Sequence, residues 1–407
     1  MWKRIAVASG VLAMVFAVLL GQSRRRASVL ETQLRWAEVE HTRLAEAARR
    51  ANERVLTLTE ERKGDRALIG QLWGLVHAGQ PKPDRPDVGG GAGVHDIGAL
   101  RSLAAANGGD LSQVIQQILT PEALNATLQR HADQPAFWVA AASLCGEPAQ
   151  ALNYLESAAS RFPESAIAQA ALIEAKRALP EADEATLAAI ANLRQADPTS
   201  SLADHYDAYF RFKEGDVAGA VQAVAAASEK DRFADHRLEL LMSRYQCLRE
   251  NGCSDGGALA LSAFSLGFEH LPMLREVSQQ ALEQAQAAYA AGQLEPALGT
   301  ADSVARIGRN LSASGRFIIY DRVGIHLQEA ALLARRRFLE GAGNAYQVGE
   351  TDFQLGAVRA RSAQIGEMVS AFGGVLATMT DEGIVRYVES AVTHGEFSTL
   401  QGLTAAP

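Results

Sequence analysis

Apolar and small residues recur along most of the chain three or four positions apart, which is the spacing of one face of an α-helix. In residues 145–165, for example, Ala151, Leu155 and Ala158 form such a face between Gly146 and Pro163, two residues that interrupt helices. No segment alternates β-branched and polar residues over the length of a strand. Hydrophobic residues make up 48% of the chain but aromatic residues only 6%, so alanine and leucine, good helix formers, dominate. The sequence predicts an all-α fold.

The first 26 residues have the pattern of a membrane anchor. An uncharged apolar run extends from Ile5 to Gly21, with basic residues on both flanks. A helix of this length spans about 25 Å, which is the short end of what crosses a bilayer. A cleaved signal peptide is the alternative, but the small residues of a cleavage site are poorly placed and three arginines follow at once. We predict an uncleaved, single-pass transmembrane anchor over residues 1–26.

The charges that flank this run help to predict on which side of the membrane the rest of the chain, its body, lies. A short N-terminal tail with Lys3 and Arg4 usually stays in the cytoplasm, which places the body outside it, on the periplasmic side. Three arginines on the other flank, residues 24–26, favour the opposite topology under the same rule. We expect an extracytoplasmic body, with the cytoplasmic orientation as the alternative.

Residues 27–79 carry a different pattern, in which apolar residues recur every 3.5 positions. This spacing predicts one long coiled-coil-like helix, although a histidine lies in its seam and charged residues interrupt it. Two interpretations stay open: residues 27–78 form a homo-oligomer, or a single charged helix stands as a stalk or packs on the body. The prolines and glycines that follow, in residues 80–95, predict a flexible linker.

Helix breakers and small residues then recur with a period of 34 residues. Counted from Ala132, positions 15, 20, 24 and 27 are small or apolar, and later units repeat the set. The three sets are Gly146, Ala151, Leu155 and Ala158; Gly215, Ala220, Val224 and Ala227; and Gly292, Ala297, Ala301 and Val304. This pattern resembles the tetratricopeptide repeat, which implies antiparallel helix pairs stacked into an α-solenoid over residues 96–310. Residues 311–407 are expected to add helices that close the array.

The resemblance also implies where a ligand binds. In tetratricopeptide arrays the first helix of each unit lines the concave face, with positions 2, 5, 9 and 12 pointing into it. Applied to the units that begin at Ala166 and Ser201, this rule selects Ile167, Glu174, Arg177, Leu202, His205, Tyr209 and Phe212 as partner-binding residues. We expect this mostly apolar strip to bind an extended or helical peptide. The alternative is that Tyr209 and Phe212 pack against the neighbouring unit.

The residue types that carry enzyme chemistry are scattered. The nine histidines include no His-Glu-x-x-His motif, the three cysteines include no Cys-x-x-Cys pair, and no Gly-x-Ser-x-Gly elbow lies where it could supply a hydrolase nucleophile. Asp204, His205 and Asp207 are neighbours in sequence, but such positions point around a helix rather than at one another. We predict no catalytic residue, no metal site and no cofactor.

The net charge bears on the class of partner that the protein binds, and the cysteines bear on the redox compartment in which it lies. The net charge of −8 and the isoelectric point near 5.7 argue against nucleic acid, whose phosphates require a basic face. Cys247 and Cys253 can close a small disulfide loop if this region meets an oxidising compartment; two unpaired thiols are the alternative.

Together these patterns predict a membrane-anchored helical-repeat scaffold or adaptor that binds another protein and has no catalytic activity of its own. A structural stalk or oligomer that works through its coiled coil is the first alternative. An enzyme subunit whose site is assembled from distant residues is the second.

Overall fold

The computed structural model of the protein describes residues 111–177, 182–378 and 380–405. The predicted membrane anchor, long helix and linker, and the start of the repeat region, lie outside these residues. Within them the chain is helical and contains no strand, apart from an isolated bridge between Ser200 and Arg232, so the all-α prediction is confirmed. Among the described residues, no helix is both long and apolar enough to cross a membrane.

The described residues form sixteen helices. The first eight are α1 (Leu111–Ile118), α2 (Pro121–Arg130), α3 (Pro135–Leu144), α4 (Pro148–Arg161), α5 (Ala166–Lys176), α6 (Glu184–Ala196), α7 (Leu202–Glu214) and α8 (Val217–Glu229). The second eight are α9 (Arg237–Glu250), α10 (Asp255–Phe264), α11 (His270–Ala290), α12 (Leu294–Ser314), α13 (Ile318–Gly341), α14 (Ala345–Thr378), α15 (Asp381–His394) and α16 (Glu396–Ala405).

Local sequence signals explain many of the helix ends. Asp183, Asp216 and Thr380 each accept a hydrogen bond from the backbone N–H three residues later, which caps α6, α8 and α15. Gly215 and Gly292 follow α7 and α11 with φ of 80° and 79°, a conformation that glycine adopts without strain. Gly215 and Gly292 are two of the glycines that define position 15 of the 34-residue pattern.

Consecutive helices pack as antiparallel pairs, but the stacking order changes in the middle of the chain. The pairs α3–α4, α5–α6 and α7–α8 follow one another, and α3 also packs on α5. Helix α9 then turns back and packs against α3 and α2, while α11 packs against α7. Later helices of the same chain therefore pack against the first pair, through α3, and against the third, through α7.

The small residues of the repeat pattern lie where helices cross. Ala220 and Ala297 are fully buried, and Ala151 is partly buried against the core. Helices α12 and α13 cross closely, since a Cβ atom added to Gly308 would lie 2.5 Å from the carbonyl oxygen of Gly324. Glycine at both positions leaves no side chain between the two backbones at this crossing.

Candidate functional site

The partner-binding residues selected from the sequence lie on α5 and α7, and most of them face the interior. Four side chains are at most 9% exposed, namely Ile167, Leu202, His205 and Tyr209. Phe212 is partly buried and packs against the same core. Helix α11 packs against α7, and Arg237 of α9 and the backbone of Glu269 bond Glu174 and Arg177 of α5, so these positions do not form an open strip in this conformation.

Glu174, another of the selected residues, is the centre of a buried charged cluster. Its carboxylate accepts hydrogen bonds from Arg237 Nη2 at 2.6 Å and from Tyr206 Oη at 3.0 Å. Arg237 also bonds Glu269 at 3.0 Å, and the fully buried His270 lies 3.5 Å from Glu174 through Nδ1. Burial raises the pKa of Glu174, but Arg237, His270 and Tyr206 outweigh it and bring that pKa to about 2. The carboxylate stays ionised at neutral pH and ties α5 to α7, α9 and α11.

Arg177, the last selected residue, is partly exposed beside this cluster. Its Nη1 atom donates to the backbone carbonyl of Glu269 at 2.5 Å. Its backbone carbonyl accepts a hydrogen bond from Lys213 Nζ at 3.3 Å. Arg177 therefore links the segment before α11 to the end of α5.

The acidic residues next to His205 in the sequence form ion pairs with basic side chains. Asp204 lies 3.1 Å from Arg194 and 2.7 Å from Lys230, and Asp207 binds Arg194 and Arg211 at 2.9 and 2.7 Å. Burial lowers the pKa of His205 to about 4, so the imidazole is neutral at pH 7. The side chains form ion pairs rather than an acid–base relay.

The cysteines are free thiols in the structure. Cys247 and Cys253 are both buried and do not form the disulfide that their spacing allows. Burial raises the pKa of Cys247 to about 12 and that of Cys253 to about 11, so neither is a reactive thiolate near neutral pH.

One Gly-x-Ser-x-Gly match, the GCSDG of residues 252–256, has a structural role. Ser254 accepts a hydrogen bond from the N–H of Gly257 at 3.1 Å and so caps α10. A nucleophile elbow follows a strand, whereas this turn follows α9. The described residues contain no group of three metal-ligating side chains that could hold an ion.

An open groove of about 440 Å³ lies between α11 and α13. Its floor is apolar and consists of Leu282, Leu327, Ala330, Leu333 and Ala334. Its rim is polar and consists of Arg275, Gln279, Glu283, Gln286, His326 and Arg337. Both helices also pack on α12, which holds the two walls in place.

The rim of this groove carries cations that the described residues leave without an ion-pair partner. Arg275 on one wall and Arg337 on the other are exposed and make no ion pair within the part of the chain that the structure describes. By contrast, Arg335 and Arg336, the neighbours of Arg337 on α13, bind Asp302 and Asp352 at 3.0 and 2.6 Å. An apolar floor between unpaired cations fits a peptide with an apolar stripe and acidic edges.

Sequence reasoning missed this groove although the repeat pattern contains the signal for it. Gly292 is position 15 of the set that ends at Val304, so that unit begins at Ser278. Positions 2, 5 and 9 of the unit are Gln279, Leu282 and Gln286, which line the groove, whereas position 12, Tyr289, does not. Leu327, Ala330 and Ala334 recur at helical spacing in the sequence of α13, and together with Leu333 they form the apolar part of the opposite wall.

Comparison with known proteins does not assign the chain to a family. No protein-family model matches the sequence, and no curated protein matches it either. The tetratricopeptide resemblance therefore stays a prediction from the residues, and the interpretation of the groove depends on its own geometry.

Proposed function

We propose that this protein is a membrane-anchored helical-repeat scaffold that binds a partner protein in the groove between α11 and α13. Residues 1–26 hold it in the membrane as a single-pass anchor, and the body lies on the periplasmic side. It has no catalytic activity of its own and needs no cofactor. The partner contributes a helical or extended segment with an apolar stripe and acidic flanking residues.

One observation carries this proposal: three of the four positions that point at the ligand in tetratricopeptide arrays line the open groove. Gln279, Leu282 and Gln286 satisfy the positional rule and line the groove. The same rule applied to α5 and α7 selects side chains that are mostly buried. The proposed ligand-binding surface is thus shifted along the chain from α5 and α7 to α11 and α13.

The rim arginines offer a direct test. Reversing both charges, as R275E/R337E, should repel the acidic edges of the partner and remove it from complexes isolated with the full-length protein from membranes. R306E/R322E is the matched control, because these two arginines are also exposed and form no ion pair among the described residues, but do not line the groove. Both double variants change the net charge equally.

The two variants separate a specific site from general electrostatics. We expect R275E/R337E to lose the partner and R306E/R322E to retain it, with unchanged melting temperatures for both. Loss of the partner from both variants, or from neither, contradicts a role for the groove.

A further inference from the structure

The groove between α11 and α13 is bounded at both ends by ring contacts between its two walls. At one end His270 stacks on Tyr320, with ring centroids 5.8 Å apart. At the other end Tyr289 stacks on Phe338, with ring centroids 4.9 Å apart. Each contact joins a residue near one end of α11 to a residue near the corresponding end of α13, so the two walls run parallel to each other.

The lining residues between these contacts determine the length of the groove. They extend from Arg275 to Gln286 on α11 and from His326 to Arg337 on α13. Each wall therefore advances by about 16 Å from its first to its last lining residue. This length accommodates about three turns of a helix, or about five residues of an extended peptide.

The walls offer little to the backbone of an extended peptide. Both walls are helices, whose N–H and C=O groups are bonded within the helix, and the part of the chain that the structure describes has no strand to which a peptide could add. An extended peptide on the apolar floor would lose the water bound to its N–H and C=O groups without replacement. A helix bonds these groups internally and presents only side chains to the floor, so the groove favours a helical ligand.

The composition of the floor argues against a polyproline helix, which docks between aromatic side chains. Among the described lining residues the apolar ones are all leucine or alanine, and none is aromatic. Side chains of this kind form the ridges and grooves into which the apolar face of another α-helix packs.

The direction of the walls also favours one direction of the ligand. Helix α12 packs on both walls and runs opposite to α13, since Gly308 lies against Gly324 while Asp302 binds Arg335 further along. The negative ends of both wall dipoles lie at the same end of the groove, beyond Arg337. A ligand helix that runs opposite to both walls brings its positive N-terminal end to this place.

The charges of the rim are ordered along the groove. Arg275 and Arg337 are exposed and lie at opposite ends, on opposite walls. Glu283 lies between them on α11 and accepts a hydrogen bond from Gln279 at 3.1 Å. A positive, negative, positive order favours ligand carboxylates at the two ends of the groove and repels them from its middle.

We propose that the groove binds an amphipathic α-helix of the partner, about three turns long, that runs antiparallel to α11 and α13. This inference rests on the proposed function and adds the conformation and direction of the bound segment. The apolar face of the ligand packs on the floor. An acidic residue in its first turn meets Arg337, and a second one about three turns later meets Arg275.

Two photo-cross-linking positions in the full-length protein test the conformation and the direction. The photoreactive residue replaces Gln279 in one variant and Gln286 in another, because both side chains are exposed and line the groove. The two positions are about 10 Å apart along α11. After illumination of membranes, mass spectrometry locates the partner residue to which each position is attached.

The spacing and order of the two attachment sites decide the outcome. An antiparallel helix gives sites about seven residues apart, with the site from position 286 nearer the N-terminus of the partner. An extended peptide covers the same distance in about three residues, and a parallel helix reverses the order. Either of these results overturns the inference but leaves the groove as the binding surface. The absence of adducts from both positions contradicts the proposed function and this inference with it.

A charge exchange then tests the acidic residues of the ligand. We expect R275E/R337E to reduce the adduct from position 286 about tenfold, and lysine in place of the two acidic residues at the ends of the mapped segment to restore it. Lysine in place of two acidic residues outside the segment is the matched control and should restore nothing. Failure of the first exchange, or equal restoration by the control, overturns the proposed pairing with Arg275 and Arg337.

Discussion

The buried charges of this protein are stabilised by specific partners, and Arg237 is the clearest case. It is 7% exposed and bonds both Glu174 and Glu269. Removal of one member of such a buried set leaves the others without compensation, whereas an exposed pair contributes little. The predicted groove residue Glu174 is therefore structural in the described conformation.

We predict that R237M lowers the free energy of unfolding by about 3–5 kcal/mol, because Glu174 would remain buried without its cation. R336M is the control, since the pair of Arg336 with Asp352 is 36% and 49% exposed and its loss should cost less than about 1 kcal/mol. Chemical denaturation of the two variants measures the difference. Equal effects would show that the cluster around Glu174 is not the stabilising feature described here.

Two buried groups make stability depend on acidity. The pKa of His205 is about 4 in the folded protein, below its ordinary value of 6.5, so the unfolded chain binds more protons between these values. Stability is therefore complete above pH 6.5 and declines as the pH falls towards 4. Glu174, with its pKa near 2 instead of 4.5, adds a further loss below pH 4.5.

We predict that the melting temperature falls as the pH is lowered from 6.5 to 4.5, before Glu174 begins to contribute. In H205L this slope should be smaller, because the variant removes the titrating group and His205 Nδ1 has no hydrogen-bond partner to lose. Melting curves of both proteins at several pH values measure the slopes. Identical slopes would assign the pH dependence to other groups.

At the scale of the helices, the sequence predicts much of the local structure. The helix-breaking glycines Gly215 and Gly292 belong to the repeat pattern, and in the structure both lie at helix ends with a positive φ. Which helix covers which is determined by contacts between distant residues, and no local pattern reports these.

The crossing of α12 and α13 gives a prediction at this scale. G308A should destabilise the protein by about 1–3 kcal/mol, because its Cβ atom would lie 2.5 Å from the carbonyl oxygen of Gly324 and the helices must separate. G299A, on the open side of α12, should instead stabilise it by up to about 1 kcal/mol. Thermal unfolding of both variants measures these opposite signs. A stabilised G308A would mean that the two helices do not cross this closely.

At the scale of the whole molecule, the proposed location and the proposed binding surface belong to different parts of the chain. The apolar run of residues 5–21 is the feature that suggests a membrane. We predict that deletion of residues 1–26 moves the protein from the membrane fraction to the soluble fraction after cell lysis. Retention of the shortened chain in membranes, after a high-salt wash, would count against the anchor.

Deletion of the predicted long helix distinguishes binding through the groove from a function as a coiled-coil stalk. Deletion of residues 27–78 should leave partner binding intact if the groove of α11 and α13 is the binding surface, and should abolish it if the protein works as a coiled-coil stalk. The groove residues come from α11 and α13 alone, so shortening the stalk does not change their chemistry.

The most direct test of the binding surface is a photo-cross-linking residue placed at Gln286 in the full-length protein. Gln286 is exposed and lines the groove, whereas Ala287, the next residue of the same helix, is exposed but lies outside it. If the groove binds a partner, illumination of membranes should give one discrete adduct from position 286, none from position 287, and loss of the adduct in R275E/R337E. The absence of an adduct at 286, or the same adducts from both positions, would contradict the proposed function.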